Sequence, residues 1–276
     1  MSNIVVVIGA GGIGLAIARR QGSGKTILLA DISVATLEAA AASLRAAGHS
    51  VTTQQVDVSS RESVRALAAA AVAFGSVVQV AHTAGLSPAQ ASAAAVLAVD
   101  LLGVALVLEE FGRVIASGGA GVVISSMAGH MLPPTPPEQA EALARTPADE
   151  LLQLPFLGPE AVPNSAAAYG LAKRANQLRV QAASLDWAER GARVNAISPG
   201  IILTPLAQDE LNSAVGPVYQ AMIAASTAGR MGTTNEVAGA TAYLLGPEAG
   251  FVTGSDLLID GGVIAAMRAG RLNLQS

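Results

Sequence analysis

Short apolar runs alternate with alanine-rich helical stretches along almost the whole chain, and this rhythm limits the fold more than any other feature. The first run, Asn-Ile-Val-Val-Val-Ile at 3–8, is apolar without a break, as a strand must be when both of its faces are buried. Further strands are expected at 26–30, 51–56, 77–81, 120–125, 193–197 and 256–259. Helices are expected between them over 12–21, 34–47, 60–73, 93–116, 165–190 and 235–245. Such strict alternation implies βαβ units with right-handed crossovers, hence one α/β domain over residues 1–276 built on a doubly wound parallel sheet. One segment breaks the rhythm. Residues 131–164 hold most of the chain's thirteen prolines and are too long for an ordinary connection. Thr135-Pro-Pro-Glu138 and Thr146-Pro-Ala-Asp149 read as threonine-capped helix starts, so two short helices are expected there, standing at the sheet's edge as a lid.

Two glycine-rich runs lie within eighteen residues of each other. Gly9-Ala10-Gly11-Gly12-Ile13-Gly14 fits the G-x-G-x-x-G pattern between a buried strand and a helix, the context in which backbone N–H groups face a pyrophosphate. Gly22-Ser23-Gly24-Lys25-Thr26 looks like the end of a nucleoside-triphosphate loop, but Arg19 stands where its first glycine is required. That run also follows a helix and opens a strand, the reverse of the necessary order. The first run is therefore the phosphate loop, and the sheet is of the Rossmann type. Asp31, twenty residues after Gly11 at the end of the second strand, is placed to accept hydrogen bonds from both adenosine ribose hydroxyls. A 2′-phosphate there would meet like charge with no arginine beside it, so the expected cofactor is NAD rather than NADP.

Tyr169 and Lys173, in Tyr-Gly-Leu-Ala-Lys, are four apart and share a helical face, where the ammonium stabilises a phenolate for general acid/base work. Only two of the sixteen basic residues are lysine, so a lysine at 173 departs from the chain's habit, and lysine, unlike arginine, can take part in a proton relay. The composition excludes other classes. A net charge of −4 and 3% aromatic residues argue against nucleic acid and anionic membrane as partners. There is no cysteine, and His49, His82 and His130 have no metal-ligand spacing, so no metal is expected. Residues 66–99 carry no charge, but Gln79, His82 and Gln90 interrupt them, and no membrane span is expected. Without a basic or cleavable segment ahead of the first strand, a cytoplasmic location is expected.

Taken together these motifs resemble the short-chain dehydrogenase/reductase family from the first strand to about Gly262. The resemblance implies a catalytic serine at the end of the fifth strand, a place for which Ser126 is taken over Ser125. It implies Asp57 and Val58 at the adenine, with Ile32 beside Asp31, and Ala84 and Gly85 against the cofactor. Pro199, Gly200, Ile202 and Thr204 would surround the nicotinamide carboxamide. Departures accompany the likeness. Ile8 replaces the threonine that usually opens the glycine loop, and the loop is one residue shorter. His82-Thr83 replaces two asparagines, and Asp100 stands where the family's helix asparagine completes a catalytic tetrad. Ser126 and Tyr169 are 43 residues apart because 131–164 lies between them.

The resemblance implies hydride transfer between NAD and a secondary alcohol or ketone. The candidate pocket wall is Leu86, Met127, His130, Met131, Leu132, Leu154, Phe156, Leu157, Leu203, Leu206, Tyr219 and Met222, mostly apolar, which favours a hydrophobic substrate. A 3-oxoacyl-carrier-protein reductase and a non-catalytic NAD-binding sensor are the alternatives. In the resembling family, the helices expected at 93–116 and 165–190 form a four-helix contact between subunits, so a homotetramer is expected, with a dimer as fallback.

Overall fold

A computed structural model describes residues 2–89, 91–213 and 215–272. Seven strands, β1 (Asn3–Ile8), β2 (Thr26–Asp31), β3 (Ser50–Gln55), β4 (Ser76–His82), β5 (Ala120–Ile124), β6 (Arg193–Pro199) and β9 (Asp256–Ile259), form one parallel sheet in the order β3-β2-β1-β4-β5-β6-β9. A separate pair, β7 (Ile202–Leu203) and β8 (Gly232–Thr233), lies beyond β6. The helices are α1 (Gly12–Gln21), α2 (Val34–Ala46), α3 (Arg61–Phe74), α4 (Ala93–Val96), α5 (Gly103–Gly112), α6 (Ala128–Met131), α7 (Pro137–Arg145), α8 (Ala148–Leu151), α9 (Ser165–Glu189), α10 (Pro205–Leu211), α11 (Gly216–Ala225), α12 (Thr234–Leu245) and α13 (Val263–Arg268).

The unbroken apolar character of β1 has its reason in the two layers that cover it. Ile4, Val6 and Ile8 pack with Leu67 of α3, Leu106 of α5 and Val180 of α9. Val5 and Val7 turn the other way, into a layer with Ile17 of α1, Leu44 of α2 and Val237 of α12. Each such fully buried side chain contributes roughly 1.5–3 kcal/mol.

Three expectations are corrected. The helix expected over 93–116 is not continuous: α4 runs into a π-type turn, Leu97–Leu102, before α5, and the helix ends at Gly112. The extra residue in that turn places Asp100 among buried groups, the usual setting for a π-turn at a site. The helices of the inserted segment also begin one residue later than the threonines suggested. Pro136 and Pro147 hold the cap positions, with Pro137 at the first helical position of α7. A proline keeps the residue before it extended, so Thr135 and Thr146 are held outside the helices.

Those helices do not stand at a sheet edge. Leu143, Leu151, Leu157 and Val162 are buried in the layer formed by α3, α5 and α9. Ion pairs fasten the segment from outside. Arg61 of α3 bonds Glu109 (2.7 Å), Glu110 (2.9 Å) and Asp149 (2.7 Å), and Glu109 accepts the Ala148 N–H at 2.9 Å, capping α8. Arg179 of α9 donates to the carbonyls of Leu143 and Thr146, both at 2.9 Å. Residues 168–180 of α9 are thereby covered by their own chain, while Gln181, Leu185 and Asp186 further along the helix stay exposed.

Candidate active site

The strand order reverses between β1 and β4, and the loops leaving their C-terminal ends lie side by side, which is where ligands bind on sheets of this kind. The turn after β1 is made of backbone. Gly9 has φ +98°, and a Cβ on Gly14 would lie 1.8 Å from the Gly9 carbonyl oxygen, so the start of α1 approaches the strand more closely than any side chain allows. A Cβ on Gly11 would meet nothing within 4 Å, leaving that face open. Gly12 faces Thr204 and Thr234 from the other side, and Ile13 packs with the α1 and α12 layer. The Thr83 hydroxyl lies against the carbonyls of Ile8 (3.1 Å) and Gly9 (2.9 Å), bracing the turn from the β4 loop.

Asp31 is drawn to this turn. Its carboxylate accepts from the Ala10 N–H at 2.8 Å and the Ser33 N–H at 2.9 Å, and Ile32 beside it is 62% exposed. Asp57 accepts from the backbone and hydroxyl of Ser59, while Val58 is buried against Gly103. At the other end of the crevice the Pro199 carbonyl receives the Met127 N–H at 2.8 Å, Gly200 N–H donates to Ile259, and Thr204 caps α10 through Ala207. A cavity of about 260 Å³ borders Gly200 and Ile202 and is lined further by Ser226, Arg230 and Asp260.

Ser125 and Ser126 divide into two roles. The buried Ser125 hydroxyl donates to the Lys173 carbonyl at 2.8 Å and ties β5 to α9, whereas the partly exposed Ser126 hydroxyl accepts from the Ala128 N–H at 3.2 Å. Tyr169 and Lys173 share one face of α9, with the ammonium 5.2 Å from the ring centroid. Lys173 is itself buried and lies 3.8 Å from Asp100, whose other oxygen accepts the Leu86 N–H at 2.8 Å. Burial pushes the Asp100 carboxyl up against the pull of Lys173 and Leu86. Burial also opposes the Lys173 charge, but Asp100 and Tyr169 outweigh it and hold the ammonium above its ordinary value. A Cβ on Gly85 would lie 3.3 Å from the Lys173 Nζ, and Ala84 packs beside it. His82, 1% exposed, is pushed down to about 3 by burial and by Lys173, so it is neutral.

The proposed pocket wall separates into parts. Met127, Met131, Tyr219 and Met222 gather in one cluster next to Ser126. Leu86, Leu154, Phe156 and Leu157 belong instead to the main core, and Leu132 lies against Gly170. His130 bonds Asp256 at 2.6 Å. Leu203 is 48% exposed, and the Leu206 side chain lies outside the described residues. Sequence reasoning missed Thr83 as a brace and did not single out Ser87 and Glu210, which join the loop after β4 to α10. No group of three metal-ligating side chains occurs among the described residues, and no helix there is long and apolar enough to cross a membrane.

A glycine turn at the switch point of a doubly wound parallel sheet, with a Tyr–Lys pair on one helix, is the arrangement of a Rossmann-type oxidoreductase. A family model described as short chain dehydrogenase matches residues 3–137, and one described as Enoyl-(Acyl carrier protein) reductase matches 139–264. The chain is 45% identical to Short-chain dehydrogenase/reductase bsc3 of Alternaria brassicicola, over 95% of each chain. Among solved structures, an NAD+-bound xylitol dehydrogenase aligns with TM-score 0.73 at 30% identity, covering 95% of this chain and 98% of the other. The actinorhodin polyketide ketoreductase with NADPH aligns at 0.74 and 26%, covering 95% and 97%. This chain belongs to the short-chain dehydrogenase/reductase family.

Proposed function

We propose that the protein is an NAD-dependent oxidoreductase acting on a secondary alcohol or ketone with a largely hydrophobic body. The observation that carries the reading is the buried Lys173 held beneath Tyr169 by Asp100, with the Ser126 hydroxyl left partly exposed. The residues fit a dinucleotide. Gly9, Gly11, Gly12, Ile13 and Gly14 would take the pyrophosphate on backbone N–H groups. Asp31 would hold the adenosine ribose and disfavour a 2′-phosphate, Asp57 and Val58 would flank the adenine, and Ala84, Gly85, Pro199, Gly200, Ile202 and Thr204 would line the nicotinamide end. When bound, the nicotinamide supplies the hydride chemistry.

The protein's own part is proton transfer and orientation. Tyr169 exchanges a proton with the substrate oxygen, and the ammonium 5.2 Å from its ring favours the charge that forms on the phenol. Ser126 donates a hydrogen bond to the same oxygen and steadies its developing charge. Asp100 keeps Lys173 charged and aimed. Met127, Met131, Tyr219 and Met222 exclude water from the reacting carbon and receive an apolar substrate body.

A panel of secondary alcohols with NAD, followed by NADH appearance, tests this reading. Turnover that Tyr169→Phe abolishes, with NADH binding kept, is expected. No turnover with intact NADH binding would favour the sensor, and turnover confined to 3-oxoacyl thioesters with NADPH would favour the carrier-protein reductase. We also read the protein as a cytoplasmic homo-oligomer. A homotetramer is expected, with a dimer as fallback, and light scattering distinguishes them.

A further inference from the structure

The cluster next to Ser126 is apolar, yet its Tyr219 has a carboxylate, Glu210, for a neighbour. Glu210 of α10 receives a hydrogen bond from the buried Ser87 hydroxyl, which also accepts the Ala89 N–H at 3.1 Å. The loop bearing Ser87 is fixed on both sides. Leu86 N–H is bound to Asp100 at 2.8 Å, and the Pro88 carbonyl receives the Ser165 hydroxyl at 2.6 Å, one helical turn before Tyr169. Tyr219, packed with Met127 and Met222, has its hydroxyl pushed well up by burial and by the Glu210 charge, so it stays a neutral donor. The Ser87 hydroxyl that holds Glu210 carries no charge, and Tyr219 links Glu210 to the Met127 cluster beside Ser126.

We propose that Glu210 is a specificity residue that accepts a hydrogen bond from a second hydroxyl of the substrate and rejects substrates bearing an anionic group at that position. The expected substrate is therefore a hydroxylated, uncharged alicyclic alcohol rather than a hydroxy acid or a phosphate-bearing acyl carrier. A hydrogen bond to a carboxylate is stronger than one between neutral groups, and a second anion brought beside Glu210 would be repelled and partly stripped of water.

The inference rests on the alcohol reading above, and the experiment separates the two. Wild type, Glu210→Gln and Glu210→Asp are assayed with NAD on cyclohexanol, cis-1,4-cyclohexanediol and 4-hydroxycyclohexanecarboxylate, with kcat/KM expressed relative to cyclohexanol in the same protein. Wild type should prefer the diol to the carboxylate by about tenfold or more, the worth of one charge-assisted hydrogen bond. Glu210→Gln should shrink that preference several-fold through KM, and Glu210→Asp, which keeps the charge, should retain most of it. An equal preference in all three proteins, with cyclohexanol turned over, would overturn the inference alone. No turnover of any probe by wild type would overturn the alcohol reading and this inference with it.

Discussion

The glycine turn at Gly9–Gly14 and the inserted segment at 131–164 are held by opposite means. The turn is built of backbone: its shape exists because Gly14 has no side chain to meet the Gly9 carbonyl, and its partners are the Thr83 hydroxyl and the Asp31 carboxylate. The insertion is built of side chains, with Leu143 and Leu151 sunk into the core and Arg61, Glu109 and Arg179 clasping it from outside. The difference teaches that the first region answers to single atoms and the second to total burial, so cofactor binding and stability should respond to separate substitutions.

Tyr169 gives the largest expected effect. Tyr169→Phe should lower kcat by roughly 10²–10⁴-fold, the usual worth of a positioned acid/base, with the melting temperature and NADH affinity unmoved. Leu151→Ala should cost about 2–5 kcal/mol in denaturant unfolding while the Kd for NADH stays constant. Gly14→Ala should act in reverse, weakening NADH through a local shift of about 1–3 kcal/mol, because the new methyl must push the turn off the strand. If Leu151→Ala weakened NADH as much as Gly14→Ala, the two regions would be one cooperative unit and the comparison would fail.

His82 adds a dependence on pH that belongs to the turn's side of the molecule. Its pKa falls from an ordinary 6.5 to about 3 on folding, so between those values the unfolded chain binds more protons than the native one. Stability should therefore decline as pH falls from about 6.5 towards 3, and His82→Asn should flatten that decline in urea titrations. The smallest effect is expected at the second glycine run. Lys25 there donates to the Gln21 carbonyl at 3.1 Å, capping the end of α1, so Lys25→Met should change stability by no more than about 0.5 kcal/mol and leave nucleotide binding alone.

What could be read from the chain follows the same division. The order of strands and helices, the burial of β1 and the backbone turn were legible because period, glycine and chain direction are local signals. Asp31 was legible as a position, and its approach to Ala10 follows from the β1 and β2 register. The π-type turn at Leu97–Leu102 was not, since an alanine-rich helix gives no local sign of one extra residue per turn. Nor was the attachment of the insertion. Arg61 and Asp149 are 88 residues apart, and only the packed layers decide that they meet. The pairing of His130 with Asp256 was hidden for the same reason.

The central claim is that the Gly9–Gly14 turn and Asp31 together make an NAD site, and titration of the protein with NADH and with NADPH, followed by fluorescence, tests it most directly. Tight NADH with much weaker NADPH, and a gain in NADPH binding when Asp31 is changed to alanine, is the predicted result. Preference for NADPH, or binding of neither nucleotide, would contradict it.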